Sequence, residues 1–374
     1  MILFRADANS AIGMGHVMRA LSIADALSST DPTIISSGKQ GIKFLIADES
    51  VSDLIRTRGY EPIVLHTDYQ DMDGETEAWK ELSPSIDADF VIVDSYFVTN
   101  HYLSWLRYNI GMVCYVDDIL AFPYTADVVV NYNVYASETD YHELYKGCEE
   151  PELLLGPTYA PLRDMFRGIP SREQREEVHD VLLSTGGSDE LHVTKAFLEY
   201  LCENKKCRSD GKTYHILLGA MNKDKHFIHE LACARSDVII HENVANMREL
   251  ITSVDVIISA AGSTLYEICA CGVPLITYIL ADNQIPGASS FSSLGLAIDV
   301  GDLRDSVSID HGADMSGKLS ADAVQRIMNA LNDLEADQTA RTEMSKRQHA
   351  LIDGHGAERL AARLMEIKRG KLPE

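Results

Sequence analysis

The sequence predicts a two-domain α/β protein, each domain a doubly wound and mainly parallel sheet. Three observations carry this expectation. The chain has 374 residues, more than one hydrophobic core usually organises, so two domains of roughly 150–180 residues follow. Strand-like and helix-like stretches alternate along its length. The strands also read as continuous apolar runs, such as Phe90-Val91-Ile92-Val93. Strands buried on both faces belong to parallel sheets covered by helices.

In order, residues 1–5 read as a strand, 15–28 as a helix, 32–36 as a strand and 43–58 as a helix. Residues 62–65 are extended, 75–83 helical, 89–93 a fully buried strand, 102–108 helical, and 112–116 and 128–130 strands. Gly156-Pro157 and Gly168-Ile169-Pro170 then punctuate the chain ahead of the charged run 171–177, which marks a linker. A second series follows, with strands at 180–184, 214–218, 238–241, 254–259 and 274–278. Helices at 192–203, 223–234, 247–252 and 264–271 separate them, and 321–369 is largely helical. The expected organisation is an N-terminal domain at 1–168, a C-terminal domain at 178–320, and a helical tail at 321–374 that folds back across the domains. Two such domains place a crevice at the carboxyl ends of their strands, the arrangement of the GT-B sugar-nucleotide enzymes. A periplasmic-binding-like fold or a two-domain dehydrogenase fits the alternation as well, so the motifs must decide.

The formal net charge is −24, from 33 basic against 57 acidic residues. Such a surface repels nucleic acid and anionic lipid, so neither is expected as a partner. The N-terminus lacks a signal-peptide pattern, and no apolar run approaches a membrane span. The seven scattered cysteines fit buried thiols in a reducing cytoplasm. His226, His229 and Glu230 have the wrong order for a zinc-protease helix and read as a solvated face, so no metal site is expected.

Residues 5–19 join the first strand to the first helix. Gly13 and Gly15 allow a tight turn and close approach to a ligand, but the third glycine of a dinucleotide fingerprint is missing and no Gly-Lys-Ser/Thr follows. The loop instead delivers His16 near a helix N-terminus, where the dipole favours neutral imidazole and hence general-base work. A histidine that merely caps the helix or satisfies the turn is the alternative. Arg5 and Arg19 could hold phosphate or pair with Asp7, and for Arg5 a structural ion pair is equally apt.

In the second series, a buried strand ends in the small residues Ala260-Ala261-Gly262-Ser263-Thr264. With Ser263 as N-cap, the N–H groups of Gly262–Leu265 would suit a diphosphate. Glu267, about one turn into the helix, can accept from both ribose hydroxyls. Two further loops fit the same ligand. Gly186-Gly187-Ser188 offers hydroxyl and amide groups to phosphate, and Asn243-Val244 through Met247 offers backbone groups to a uracil edge. Each loop alone is an ordinary strand-to-helix turn.

Together these segments resemble the UDP-sugar hydrolases of pseudaminic acid biosynthesis, which act on UDP-2,4-diacetamido-2,4,6-trideoxy-β-L-altrose, and the related spore-coat polysaccharide proteins. The resemblance lies in Arg5-Ala6-Asp7 with Ile12-Gly13-Met14-Gly15-His16-Val17-Met18-Arg19, in Val93-Asp94-Ser95-Tyr96, and in Asp117-Asp118. It continues through Asn131-Tyr132-Asn133-Val134-Tyr135-Ala136, Gly156-Pro157-Thr158-Tyr159-Ala160-Pro161-Leu162-Arg163, Gly186-Gly187-Ser188-Asp189, Glu242-Asn243 and the segment 262–274. The Glu267 segment is shared with many GT-B enzymes, including the lipid-II-forming N-acetylglucosaminyltransferase. The resemblance implies a hydrolysis without metal or cofactor, in which His16 activates water for attack at the anomeric carbon with inversion. Asp94 would orient His16 or the sugar, and Tyr96 and Asn133 would sit on the sugar side. Arg5, Asp7, Gly13, Gly15, Arg19, Asn131, Tyr135, Tyr159 and Arg163 would complete the substrate site. UDP would meet Gly186, Gly187, Ser188, Asn243, Val244, Met247, Gly262, Ser263, Thr264 and Glu267. A GT-B glycosyltransferase using a UDP-N-acetylhexosamine donor and a non-catalytic nucleotide-sugar binder are the alternatives. The chain departs from compact members of the family in continuing through 321–374.

Overall fold

Mainly apolar runs of four or five residues build the first sheet. The computed structural model describes residues 1–9, 12–30, 38–204, 211–308 and 318–371. Ile2–Ala6 forms β1, Ile42–Ile46 β2, Glu61–Val64 β3, Phe90–Asp94 β4, Met112–Val116 β5, Val128–Asn131 β6 and Glu152–Leu155 β7. All seven are parallel in the order β3-β2-β1-β4-β5-β6-β7. The helices are α1 (Gly15–Thr30), α2 (Ser52–Thr57), α3 (Thr76–Leu82), α4 (Asn100–Asn109) and α5 (Glu138–Leu144). Leu3, Val91, Val93, Val113 and Val129 of the sheet share one core with Trp79, Tyr102, Leu103 and Leu106 of the helices.

The expected helix at 43–58 is corrected here. Ile42-Lys43-Phe44-Leu45-Ile46 is too apolar and β-branched to leave the sheet, and the helical part is confined to a 3-10 turn at Glu49–Val51 and the α-helix Ser52–Thr57. The strand expected at 32–36 lies outside the described residues. Sequence reading also missed β7, a four-residue run too short to stand out before Gly156.

The second sheet comprises β8 (Asp180–Ser184), β9 (Thr213–Leu217), β10 (Val238–His241), β11 (Val256–Ala260), β12 (Leu275–Ile279) and β13 (Ile298–Asp302). They are parallel in the order β10-β9-β8-β11-β12-β13. Their helices are α6 (Val193–Glu203), α7 (Lys225–Cys233), α8 (Met247–Ser253), α9 (Thr264–Cys271) and α10 (Ile285–Ser293). The tail contributes α11 (Ala321–Ala336), α12 (Gln338–Leu351) and α13 (Gly356–Lys371). Asn246, Ser320 and Asp337 accept N-terminal N–H groups of α8, α11 and α12, which fixes where each begins.

Two compact units result, Met1–Asp164 with Gly354–Glu374, and Met165–Asp353. The tail therefore divides, α11 and α12 belonging to the second unit and α13 to the first. Leu360, Ala361 and Leu364 of α13 are fully buried, and α13 packs on α1. Lys368 pairs with Asp89 at 2.9 Å and Arg363 with Glu152 at 2.5 Å. Among the described residues no helix is long and apolar enough to cross a membrane.

In each sheet the chain reverses its winding once, at β1/β4 in the first unit and at β8/β11 in the second. At such a point the loops diverge to opposite sides and leave a crevice at the carboxyl ends, where ligands of open α/β sheets bind.

Candidate functional site

The β1–α1 loop starts from Asn9. Its carbonyl accepts the Gly13 N–H at 2.9 Å and its side chain the Ile12 N–H at 3.0 Å. Gly13 closes the turn at φ +74°, a left-handed conformation in which other residues are strained. The loop thereby sets His16 in the first turn of α1, buried and facing the carboxyl end of β4.

There His16 Nδ1 lies 2.5 Å from Asp94 Oδ1. A carboxylate can only accept, so Nδ1 carries a proton, and in the neutral ring the lone pair is therefore on Nε2, an assignment made from this network. A small pocket adjoins the ring, lined by Asp7, Ile12, His16, Asp94 and the Ser95-Tyr96-Phe97 turn. It lies at the ends of β1 and β4, the reversal point of the sheet. The Tyr96 ring meets His16 edge-on, with centroids 4.5 Å apart.

Arg19, one turn along α1, organises the carboxylates. Its Nε and Nη2 both reach Asp94 at 2.5 Å, and Nη1 reaches Asp118 at 2.7 Å and the Tyr132 hydroxyl at 2.9 Å. Nη2 is also 3.1 Å from His16 Nδ1. Four of the five guanidinium N–H groups are engaged in this way, so Arg19 is placed to hold Asp94 and Asp118 together beside His16. Burial alone would push the Asp94 carboxyl up, but Arg19 and then His16 hold it down at about 2. Arg19 is itself raised well above its ordinary range by Asp118 and Asp94, against the opposing effect of burial.

Asp118 Oδ1 accepts from Asn133 Nδ2 at 2.9 Å, Oδ2 accepts from the Tyr96 hydroxyl at 3.2 Å, and its carbonyl accepts from the Tyr135 hydroxyl at 2.9 Å. Asn131 holds Asn133 through both its N–H and its amide. The structure thus brings His16, Arg19, Asp94, Tyr96, Asn131, Asn133 and Tyr135 into one network. Tyr159 and Arg163 follow the edge strand β7, three strands from β4. Arg5 is fully buried and bonded to Asp7 and to both oxygens of Glu75, with the Tyr102 hydroxyl also on Glu75. That is the structural ion pair, and it leaves Asp7 alone of the two facing the pocket.

In the second unit, the loops after β8 and β11 flank the reversal point. Gly186, with φ +80°, and Gly187 are exposed. Asp189 closes that loop by accepting the Val193 and Thr194 N–H groups at 2.9 and 3.0 Å. Ser263 occupies the N-cap position of α9 but makes no capping bond with its side chain. Of the four N–H groups expected to face a diphosphate, Gly262 donates to Ala260 and Leu265 to Gly262. That narrows the expectation to Ser263 and Thr264. Glu267 is half-buried in the first turn of α9, and Asn243 is exposed with φ +51° in the turn after β10, ahead of Val244 and Met247.

Sequence reasoning missed Glu75, Tyr132 and Gly219 and gave Asp118 no role. The Asp118 signal was present, since an acidic pair directly follows a buried strand next to the reversal point. Gly219 could not be found from sequence. A Cβ there would lie 2.3 Å from the carbonyl oxygens of both Gly186 and Gly187, so two backbones meet at that point. Gly219→Ala should therefore displace the glycine loop, costing about 1–3 kcal/mol. Thermal unfolding checks this; an unchanged midpoint would mean the loop tolerates the methyl.

No family model matches the chain. It is 26% identical over 287 residues to an uncharacterised protein of Methanocaldococcus jannaschii, covering 75% of this chain and 55% of that one. It is 25% identical over 254 residues to the UDP-2,4-diacetamido-2,4,6-trideoxy-β-L-altropyranose hydrolase of Campylobacter jejuni, covering 66% and 80%. With the spore coat polysaccharide biosynthesis protein SpsG of Bacillus subtilis it shares 22% over 215 residues, covering 57% and 58%. The chain thus spans little more than half the length of two of these relatives. The fold is GT-B. MurG of Acinetobacter baumannii superposes with a TM-score of 0.63 at 14% identity, covering 98% of this chain and 99% of that one. A spinosyn rhamnosyltransferase gives 0.60 at 14% identity, covering 98% and 99%. A UDP-GlcNAc 2-epimerase from Neisseria meningitidis gives 0.59 at 11%, covering 98% and 100%. A fold common to a transferase and an epimerase leaves the reaction to the site.

Proposed function

We propose that the protein is a nucleotide-sugar hydrolase that releases UDP from a UDP-linked diacetamido-trideoxyhexose. Its setting would be pseudaminic-type acid or surface polysaccharide biosynthesis. The observation that carries the reading is the His16–Asp94 pair, a buried carboxylate on Nδ1 and a pocket beside the ring. That arrangement suits a base that takes a proton from water. Water attacks the anomeric carbon, the C–O bond to UDP breaks, and the sugar emerges with inverted configuration. The proton passes to His16 Nε2 and the electron pair leaves with the β-phosphate. The first unit would hold the reacting sugar. The second would hold UDP through the Ser263 and Thr264 N–H groups, the Gly186-Gly187-Ser188 loop and Glu267. Amides at a helix start stabilise a departing diphosphate, so turnover is expected to survive EDTA. The activity for which the Campylobacter relative is named supports the substrate class.

The test is a panel of UDP-sugars incubated with the protein without acceptor, following free UDP and anomeric configuration by NMR. Prompt release with inversion is expected. Turnover only after an acceptor hydroxyl is added would assign glycosyl transfer instead, the reaction for which the rhamnosyltransferase neighbour is named.

Glu267 gives a separate check. Glu267→Gln removes the charge that strengthens hydrogen bonds to the ribose, worth about 1.5–3 kcal/mol. The Kd for UDP should rise roughly ten- to a hundredfold by calorimetry. Unaltered affinity would remove Glu267 from the ribose.

A further inference from the structure

Two adjacent aspartates leave β5 with opposite duties. Asp117 is wholly buried and builds the turn. It accepts from the Tyr124 hydroxyl at 2.9 Å, the Tyr141 hydroxyl at 2.5 Å, and the Ile119 and Leu120 N–H groups at 2.9 and 3.1 Å. The turn so fixed directs the next carboxylate towards the network. Asp118 there takes Arg19 Nη1, the Tyr96 hydroxyl and Asn133 Nδ2 on its two oxygens. The group that supports the base and two groups on the sugar side thus share one carboxylate.

We propose that Asp118 is a positioning residue, whose charge balances Arg19 beside His16 and whose two oxygens set Tyr96 and Asn133 relative to the base. The inference rests on the proposed hydrolysis for its kinetic consequence and on the geometry alone for its electrostatic one. The charged and titratable groups around His16 are Asp94 and Arg19 in contact, Tyr96 against the ring, and Asp7 across the pocket. Asp118 and Tyr132 stand behind Arg19. One guanidinium between two carboxylates leaves a net negative charge, which favours the imidazolium formed when His16 takes its proton. Without Asp118 that balance falls to zero, and the imidazolium loses support.

Asp118→Asn keeps the shape and removes the charge. In histidine-labelled protein followed by NMR, with the His16 resonance assigned by its loss in His16→Gln, the His16 midpoint should fall by roughly one pH unit. This is read whether or not any UDP-sugar is turned over, so failure of the proposed function is distinguishable from failure of the inference. An unshifted midpoint in the folded variant would overturn the electrostatic coupling. In turnover, the acidic limb of kcat/KM should move down by the same amount, and kcat should fall more than tenfold with KM changed less than threefold. Asp118→Glu guards against misfolding, because it keeps the charge while displacing the oxygens by one methylene. Its His16 midpoint should stay in place while kcat still falls about tenfold. Wild-type kcat in Asp118→Glu would overturn the positioning role.

Discussion

His16→Ala should abolish UDP release while leaving UDP binding intact. A positioned general base is worth roughly 10²–10⁴ in rate, and His16 is the pocket group whose Nε2 is available as an acceptor. A fall in kcat of about a thousandfold is therefore expected. The groups proposed to hold UDP all leave the strand ends of the second unit, so the substitution removes none of them. UDP affinity by calorimetry should change less than twofold. A mainly structural histidine would behave differently. Filling the ring's place with a methyl would loosen α1 and lower stability, with activity falling only as the folded fraction falls. His16→Gln separates the cases, because it restores volume and a hydrogen-bond donor but supplies no base. Full turnover in His16→Gln would sink the proposal; loss equal to that of the alanine variant supports it.

What the sequence made legible was whatever follows from local pattern. Two parallel sheets were readable because Phe90-Val91-Ile92-Val93 and Val256-Ile257-Ile258 are apolar without alternation. The Gly13–His16 turn was readable because a glycine pair stands between a strand and a helix. The ion pairing around the two arginines was less accessible. Arg5 and Arg19 look equivalent in sequence, each a cation near a glycine loop. Only the packing shows that Arg5 turns into the core towards Glu75, seventy positions away, while Arg19 faces Asp94 and Asp118. The strand at 42–46 was mistaken for helix because the apolar spacing across 43–58 satisfies a helical period. The cost of removing Ile42-Lys43-Phe44-Leu45-Ile46 from the sheet is tertiary and leaves no local trace. The amides at α9 show the same limit, since which N–H groups are already bonded depends on turn geometry that Gly262 and Ser263 do not encode by type.

Asp94→Asn is the second large expected effect, and it acts on stability and catalysis together. In catalysis, the amide keeps the size of the side chain but can also present its N–H₂ to His16 Nδ1. That stabilises the tautomer with its proton on Nε2, the wrong one for a base, and a fall of about 10²–10⁴ in kcat follows. In stability, Asp94 is held at about 2 against an ordinary 3.8, with Arg19 and His16 outweighing burial. A carboxyl depressed on folding contributes stability that is complete above its unfolded value near pH 4 and is lost as the pH falls through about 2. The difference corresponds to about 2 kcal/mol. Urea unfolding of the wild type should therefore show a decline between pH 4 and 2 that is shallower by that amount in Asp94→Asn. At pH 7 the variant should itself be less stable by about 3–5 kcal/mol, because Arg19 remains buried with one of its two carboxylates gone. The paired measurement is decisive in a way neither is alone. Loss of stability with kcat retained in the folded fraction would make Asp94 a partner of Arg19 and nothing more, and His16 would then need another group to set its tautomer. Loss of both, with the acid decline flattened, assigns to one carboxylate the anchoring of α1 to β4 and the aiming of the base.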